Sequence, residues 1–502
     1  MGMFGTAGIR GPVADRLTPA LALAVGQAVG RLAVEAESVS NDAESNDVAS
    51  NHIASPPEIV VGRDGRLTGP ALVSAVEAGV SAAGGSAVRS GVVPTPTLAF
   101  ASRGRYGIML TASHNPPADN GIKLFVDGRE FDSEREQQIE RALETTFEAN
   151  RSPATAPWEQ WQTPRKVDPI GDYRSAVIDY AQQILTEDAS TKSTSLCVGL
   201  RVAVDCGNGM AARATPQVLR ELGAHVVTLN GNIDGHFPGR PSKPTPETIG
   251  DLRRFVAAGD FDVGIAHDGD ADRIVLLDSD GDVVHEDTVL AILAGYYTRA
   301  SQRESNSPLS TATAEPVVVT TPNASGRIDE QVRAAGGRVE RVQLGGLHEG
   351  IAAVEDADGD GDVVFAAEPW KHIHPAFGGW TDGILSAAVC CQLISQTSLR
   401  ALREPITERP YRKVSIDCPD AAKSAAMTRV ETSLPAAFPA GTVTREHGIR
   451  LDFDDGSWFL IRPSGTEPYL RLYAESDTVD ELVSTATGCI ETAVDTAQSD
   501  QK

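Results

Sequence analysis

The sequence predicts an α/β protein of several units, on three observations. At 502 residues the chain exceeds what a single hydrophobic core accommodates. Strand-like apolar runs alternate with helical ones through the first four hundred residues, the pattern of parallel sheets covered by helices. The last hundred residues break that alternation. We therefore expect α/β units at 1–165, 166–298 and 299–405 and a smaller α+β domain at 406–502. In open parallel sheets ligands bind at the carboxyl ends of the strands, so the loops there are the candidates for chemistry.

In chain order, "PALALAVGQAVGRLAVEA" reads as a helix and "EIVVG" as a buried strand. Between them, residues 35–57 are poor in apolar residues and rich in Ser, Asn and acids, which predicts a flexible surface insertion. "GIML" at 107–110 reads as a buried strand. The second unit shows "LRVAVDCGNG", a helical "ARATPQVLRELG", "AHVVTLNG" and "DVGIAHDGD". After a second polar stretch at 301–316, the third repeats the pattern with "PVVVTT", "GRIDEQVRAAGG", "RVERVQLGG" and "GDVVFAAEP". The end of the chain carries "RKVSIDCP", a helical segment and paired strand-like runs around "RPSGTEP".

Composition excludes several classes. The formal net charge is −25, so no basic face for nucleic acid is expected. No apolar run is long enough to span a membrane, and the start lacks a basic-then-apolar signal, so a cytoplasmic location is expected. "MGMFGT" fits a loose myristoylation pattern through Gly2 and Thr6. Only eight of the 44 basic residues are Lys, and an acidic, Lys-poor surface suits high salt, where repulsion is screened. None of the six cysteines forms a C-x-x-C, so buried reduced thiols are expected.

Four loops concentrate chemistry. In "MLTASHNPPADNGIKLF", Ser113 stands at the end of a strand, ahead of a Pro-Pro turn, with Lys123 behind it. In "HDGDADR", Asp268, Asp270 and Asp272 are spaced by two between apolar runs. Turned inward, three carboxylates suit one hard cation such as Mg²⁺ and would repel strongly without it. "DADGDGD" at 356–362 imitates a calcium loop, but Ala367 takes the place of the bidentate acid, so a solvated turn is expected. "RPSGTEPYLR" offers Arg462, Ser464, Gly465 and Thr466, a set suited to a phosphate oxyanion. "AAEPWKHIHP" brings Glu368, Lys371, His372 and His374 together after a strand, beside Trp370, a set able to bind sugar hydroxyls and phosphate.

Together, and in this order, "FGTAGIRG", "TASHNPPADNGIKLF", "DGDADR" and "RPSGTEPYLRLY" resemble the motifs of the α-D-phosphohexomutase family, over nearly the whole chain. The resemblance displaces the myristoylation pattern. It implies four domains, three of them related with mixed sheets, around one central cleft. It implies that Ser113 carries a phosphoryl group and that Asp268, Asp270, Asp272 and a phosphoserine oxygen hold Mg²⁺. Arg10, His114, Lys123 and Arg273 fall at active-site positions. Arg462, Ser464, Gly465 and Thr466 would grip the phosphate that stays put, with Arg471 beside them. Lys123 and His372 are the candidates for the general acid–base role. The implied reaction converts hexose 6-phosphate to hexose 1-phosphate through a hexose 1,6-bisphosphate.

The sugar loop departs from the family's Gly-Glu-x-Ser-Gly-His. Glu368 and His372 keep their places, whereas Trp370 and Lys371 replace a small pair, so altered reading of hydroxyls is expected. Leu347 stands where a Lys or Arg is usual, with His348 beside it, and Lys371 is expected to supply the missing charge. "EPWKHIHP" resembles archaeal phosphoglucosamine mutases, which points to glucosamine phosphate, ahead of mannose or glucose phosphate, and to amino-sugar nucleotide synthesis. A metal-dependent sugar phosphatase and a non-catalytic sugar-phosphate sensor are the rival classes.

Overall fold

The computed structural model describes residues 3–5, 8–44, 55–148, 155–185, 196–303, 309, 314–356, 361–464 and 467–500. It holds three mixed α/β sheets and an antiparallel fourth. In the first, the parallel strands Glu58–Arg63, Ser86–Val92 and Tyr106–Leu110 are extended by the antiparallel Asp119–Val126, which also pairs with Ile9–Pro12. In the second, Arg201–Asp205, His225–Leu229 and Val263–His267 run parallel and Ile274–Leu277 is antiparallel. In the third, Pro316–Thr320, Arg338–Arg341 and Asp362–Glu368 run parallel, and Lys371–His374 turns back beside the last of them.

The spatial order is therefore the same three times over: an antiparallel strand, the third parallel strand, the first, then the second. In each sheet the connection from the third parallel strand to its antiparallel neighbour is a chemically loaded loop. It contains Ser113 in the first, Asp268–Asp272 in the second and the Glu368–Lys371 turn in the third. A repeated topology thus places three different chemistries at equivalent strand ends, where α/β sheets bind ligands.

The helix Glu286–Ser301 packs on the third sheet and Gly383–Gln396 on helices of the second, Ile170–Leu185 and Thr215–Glu221. One hydrophobic core accordingly runs through both units, from Tyr173 to Ile406. The fourth sheet is built from Tyr411–Asp417, Thr442–Thr444, Ile449–Asp452, Trp458–Pro463 and Tyr469–Glu475, with helices Asp420–Ala437 and Val479–Ser499 over one face.

One expectation changes. The first helix runs Pro19–Glu44, through the first part of the expected insertion. Residues 35–44 contain neither Gly nor Pro, and extending an existing helix costs far less than nucleating one. Residues 45–54 lie outside the described residues, as do 304–308 and 310–313 of the second polar stretch, in which Leu309 is buried. Residues 357–360 of the calcium-loop imitation also lie outside them, along with Gly2 and Thr6. Five cysteines are buried, Cys489 is partly so, and none is bridged. Among the described residues no helix is long and apolar enough to cross a membrane.

Candidate active site

Ser113 leaves its strand in a left-handed conformation, φ 51°, unusual for a residue with a side chain and common where function imposes it. Its Oγ donates to Asp268 Oδ2 at 2.6 Å, and His114 Nδ1 lies 3.2 Å away on the other side. Burial and the nearby cations Arg273 and Arg10 push the His114 imidazole down to about 2, so it is neutral.

The Asp loop is shaped by Ala271, also left-handed at φ 61°. It is closed by His267, whose Nδ1–H donates to the Arg273 carbonyl at 2.8 Å. The carboxylates of Asp268, Asp270 and Asp272 converge, with one oxygen of each within 4.8 Å of the others, and all three are buried. Burial and the charges of Asp272 and Asp270 hold the Asp268 carboxyl well above its usual range. Asp272 moves the other way; Lys123, Lys371 and Arg273 outweigh its burial. Lys123 Nζ lies 2.6 Å from Asp272 and 3.2 Å from Asp270, and those charges outweigh its burial to raise its pKa. Arg273 Nε is 3.9 Å from both Asp268 and Asp272.

Asp270 Oδ1 and Asp272 Oδ1 are buried without partners. Hard, unsatisfied oxygens from three converging carboxylates are the donor set of a divalent cation such as Mg²⁺. Arg10 Nε is likewise buried and unpartnered, and its charge acts on both His114 and Lys123.

The sugar loop is stitched to the Asp loop. Lys371 forms a β-bridge with Arg273, and the Trp370 carbonyl accepts Ile274 N–H at 3.2 Å. Glu368 and Lys371 face each other across this two-residue turn. The Trp370 ring packs against the second unit's apolar cluster, beside Val227, Leu229 and Val283. It anchors the loop there while remaining partly exposed. Lys371 acts on both Asp272 and His348, as expected of a cleft cation, while Leu347 is buried in the third unit's core.

His372 is hydrogen-bonded within the third unit and not to the Asp loop, and its Nε2 is buried without a hydrogen-bond partner among the described residues. Its ring is 1% exposed, its Nδ1 pairs with Ser386 Oγ at 3.0 Å, and burial alone depresses it to about 3. His374 shares the same Ser386 and also meets the Tyr297 hydroxyl. The two histidines occupy one face of a strand, and Ile373 on the opposite face is buried as well.

In the fourth unit, Arg462 and Arg471 are cross-strand partners. Arg462 Nη2 reaches the Tyr473 hydroxyl at 3.2 Å, while its buried Nε has no partner. Ser464 Oγ accepts Glu467 N–H at 3.2 Å. Gly465 and Thr466 lie outside the described residues.

Sequence reasoning missed the supports. Arg66 is fully buried and donates to Asp64 and to the carbonyls of Ser113, Asn115, Pro116 and Asp119, so one guanidinium sets the Ser113 loop. Thr95 Oγ1 donates to Asp270 at 2.7 Å. Arg240 joins Asp205 to the His267 carbonyl under the Asp loop. A separate open cavity of about 1180 Å³, lined by Val198, Asp262, Asp278, Arg403 and Glu408 among others, lies outside this constellation, and its Arg403 is already paired with Asp278 and Glu408.

Three sequence models of phosphoglucomutase/phosphomannomutase domains match the chain: alpha/beta/alpha domain I at residues 1–150, alpha/beta/alpha domain II at 178–281 and the C-terminal domain at 416–487. A phosphopentomutase from Thermococcus kodakarensis is 36% identical over 99% of this chain and 100% of its own length. A probable phosphoglucosamine mutase from Methanopyrus kandleri is 37% identical over 97% of this chain and 98% of its own. The chain belongs to the phosphoglucomutase/phosphomannomutase family. That membership makes it an isomerase of the phosphotransfer kind. A solved phosphoglucomutase/phosphomannomutase family protein from Burkholderia thailandensis has the same fold, with a TM-score of 0.77 at 23% identity over 99% of this chain and 97% of that one. An Aspergillus fumigatus N-acetylphosphoglucosamine mutase, solved with GlcNAc-6P and magnesium, matches with a TM-score of 0.58 at 15% identity, over 98% and 95% of the two chains.

Proposed function

We propose that the chain interconverts a sugar 6-phosphate and the sugar 1-phosphate, with Ser113 as the phosphoryl carrier. The observation that carries this is the Ser113 hydroxyl, held in a left-handed turn and directed at Asp268 of an Asp loop that Lys123 and Arg273 also approach. Phosphorylated Ser113 gives its phosphoryl group to the free hydroxyl of the bound sugar phosphate; its Oγ–P bond breaks as the new O–P bond forms. The resulting 1,6-bisphosphate turns over and returns its other phosphoryl group to Ser113. The chain's part is to hold donor and acceptor in line and to balance charge.

Asp268, Asp270 and Asp272 would hold Mg²⁺, with a phosphoserine oxygen as a further ligand. Bound there, the cation supplies Lewis-acid polarisation of the phosphoryl oxygens. We assign the acid–base role to Lys123, because its ammonium stands against Asp270 and Asp272 of the Asp loop, whereas His372 is hydrogen-bonded to Ser386. Arg462, Ser464, Gly465, Thr466 and Arg471 would hold the phosphate not being transferred.

Glucosamine phosphate is our first choice of sugar, supported by the "EPWKHIHP" loop and the Methanopyrus relative. Ribose phosphate is the second reading, favoured by the Thermococcus phosphopentomutase, a relative of equal similarity and full length. A ³¹P NMR time course with Mg²⁺ and a catalytic sugar bisphosphate decides between them. Glucosamine, mannose and glucose 6-phosphates and ribose 5-phosphate are each offered to wild type and Ser113→Ala. Growth of glucosamine 1-phosphate alone, with wild type only, supports the first; faster conversion of the pentose supports the second. Release of inorganic phosphate faster than isomer formation would leave a phosphatase instead, and binding without turnover a sensor.

A further inference from the structure

Successive side chains of a strand point to opposite faces of its sheet, and in the fourth sheet one face is covered by the two helices. Phe459, Ile461, Leu470, Leu472 and Ala474 point to the helices. The other face carries the residues between them, and strand pairing sets these in rows. Across the strands Tyr469–Glu475 and Trp458–Pro463, Glu475 pairs with Trp458 at one end and Tyr473 with Leu460 in the middle. Arg471 pairs with Arg462 at the other end. The two arginines therefore stand four residues along the strand from Glu475, about 13 Å away on the same face.

The Glu475 end is docked on the third unit. Arg327, in the first turn of the helix Gly326–Ala334, donates from Nη2 and Nε to Glu475 Oε1 at 2.6 and 3.2 Å. Its Nη1 donates to Thr288 Oγ1 at 2.7 Å. Its Nη2 also reaches the Arg409 carbonyl at 3.4 Å, on the segment that enters the fourth sheet. The other oxygen of Glu475 accepts Trp458 Nε1–H at 2.9 Å, and the side chains of Arg327 and Glu475 are each 1% exposed. Arg450, 4.1 Å from the centre of the Trp458 ring, donates to the Pro322 and Ala324 carbonyls, in the loop that leads to the Arg327 helix. A buried ion pair adds little stability over an apolar contact of the same volume. What it adds is geometry, because a planar guanidinium with its donors in a rigid fork holds one orientation, whereas an apolar patch can slide.

We propose that Arg327 and Glu475 are positioning residues for phosphate binding: their buried pair fixes the angle at which the fourth unit presents Arg462 and Arg471 to the substrate. This role rests on the mutase reading above, in which those two arginines hold the phosphate not being transferred. Buried as they are, Arg327 and Glu475 act only through the strand that joins Glu475 to Arg471. The pin is at one end of that strand and the phosphate residues at the other. A tilt of about 10° at the pin carries Arg471 by about 2 Å, enough to break a hydrogen bond.

The test is calorimetric titration of glucose 1,6-bisphosphate, at fixed ionic strength, into Ser113→Ala, which cannot transfer. Onto this parent are placed Arg471→Ala, the pair Arg327→Met/Glu475→Gln, and all three changes together. The paired change leaves no buried charge unmatched, as a lone Arg327→Met would. It weakens binding by about tenfold, the weight of one hydrogen bond to a charged group. With Arg471 already removed, the same change costs about twofold or less, whereas distant sites that act independently would add in full. A merely structural role for the pair does not produce that difference. Glu475→Asp keeps both charges and shortens the pin, and it shows the same pattern at smaller amplitude, so the outcome does not hang on the paired variant folding. Arg412→Gln, which removes an exposed ion pair of the same unit, changes nothing. Equal losses with and without Arg471 overturn the positioning role while the mutase reading stands, as does an Arg471→Ala that binds like the parent. If the parent itself does not bind, both fall.

Discussion

Ser113 Oγ donates to Asp268 Oδ2 at 2.6 Å, which joins the loop of the first sheet to that of the second through one short hydrogen bond between fully buried side chains. Burial and the charges of Asp272 and Asp270 raise the Asp268 pKa, so the site is under electrostatic stress that a cation relieves. Two outcomes are expected in thermal melts. Without divalent metal, Asp268→Asn melts higher than wild type, because the amide is neutral beside Asp270 and Asp272 without having to take up a proton. With Mg²⁺ in millimolar excess, wild type rises by mass action and the variant does not. Equal responses to Mg²⁺ in the two proteins would remove the cation from this loop.

Arg66 supplies the second expectation. Removing one member of a buried ion pair costs about 3–5 kcal/mol, since the partner, here Asp64, is left uncompensated. Arg66→Met should lose about that much in urea unfolding. The double variant Asp64→Asn/Arg66→Met should recover part of the stability but not activity, because the four carbonyls of the Ser113 loop still lack their donor. Recovery of both would reduce Arg66 to an ordinary ion-pair partner.

A third concerns pH and salt. Glu136 is pushed up to about 8 by burial and by the surrounding Glu130, Glu349, Glu140 and Asp132, where the first and third units meet. A carboxyl whose pKa is raised by folding contributes stability that is complete below the unfolded value of 4.5 and is lost as pH climbs to about 8. Wild type should therefore lose stability across that window, and Glu136→Gln should lose less. Molar KCl should narrow the difference by screening the four neighbours. An identical pH profile for wild type and variant at low salt would dismiss the cluster as a source of strain.

The sequence exposed what is written contiguously. Ser113, the three aspartates and Arg273 announce themselves because a nucleophile turn or a cation loop needs its residues within a few positions. Arg66 could not be seen, since "GRDGRLTG" reads as a polar turn until tertiary contact buries it. His372 and His374 share a face because they stand two apart on a strand, but the sequence does not say that both faces of that strand are buried. The repeat of sheet order across three units was hidden as well, because it lies in strand connectivity and register, and the three loaded loops have no residues in common.

Trp370 and Lys371 are adjacent and should separate cleanly in kinetics. Trp370 holds a left-handed backbone, φ 69°, and lays its ring on the second unit, so Trp370→Ser frees the loop without changing what faces the sugar. Its KM should rise for every sugar phosphate by a similar factor, with a lower melting temperature from lost burial. Lys371 faces Asp272 and His348, so Lys371→Ala removes a charge from the cleft. Its KM should rise sharply while the melting temperature stays near that of wild type, and Lys371→Arg should restore much of the loss. The comparison that decides is the ratio of kcat/KM for glucosamine 6-phosphate to that for glucose 6-phosphate. If Trp370→Ser changes this ratio more than Lys371→Ala does, the indole reads the sugar, and its place against the second unit is not the one it holds when substrate is bound.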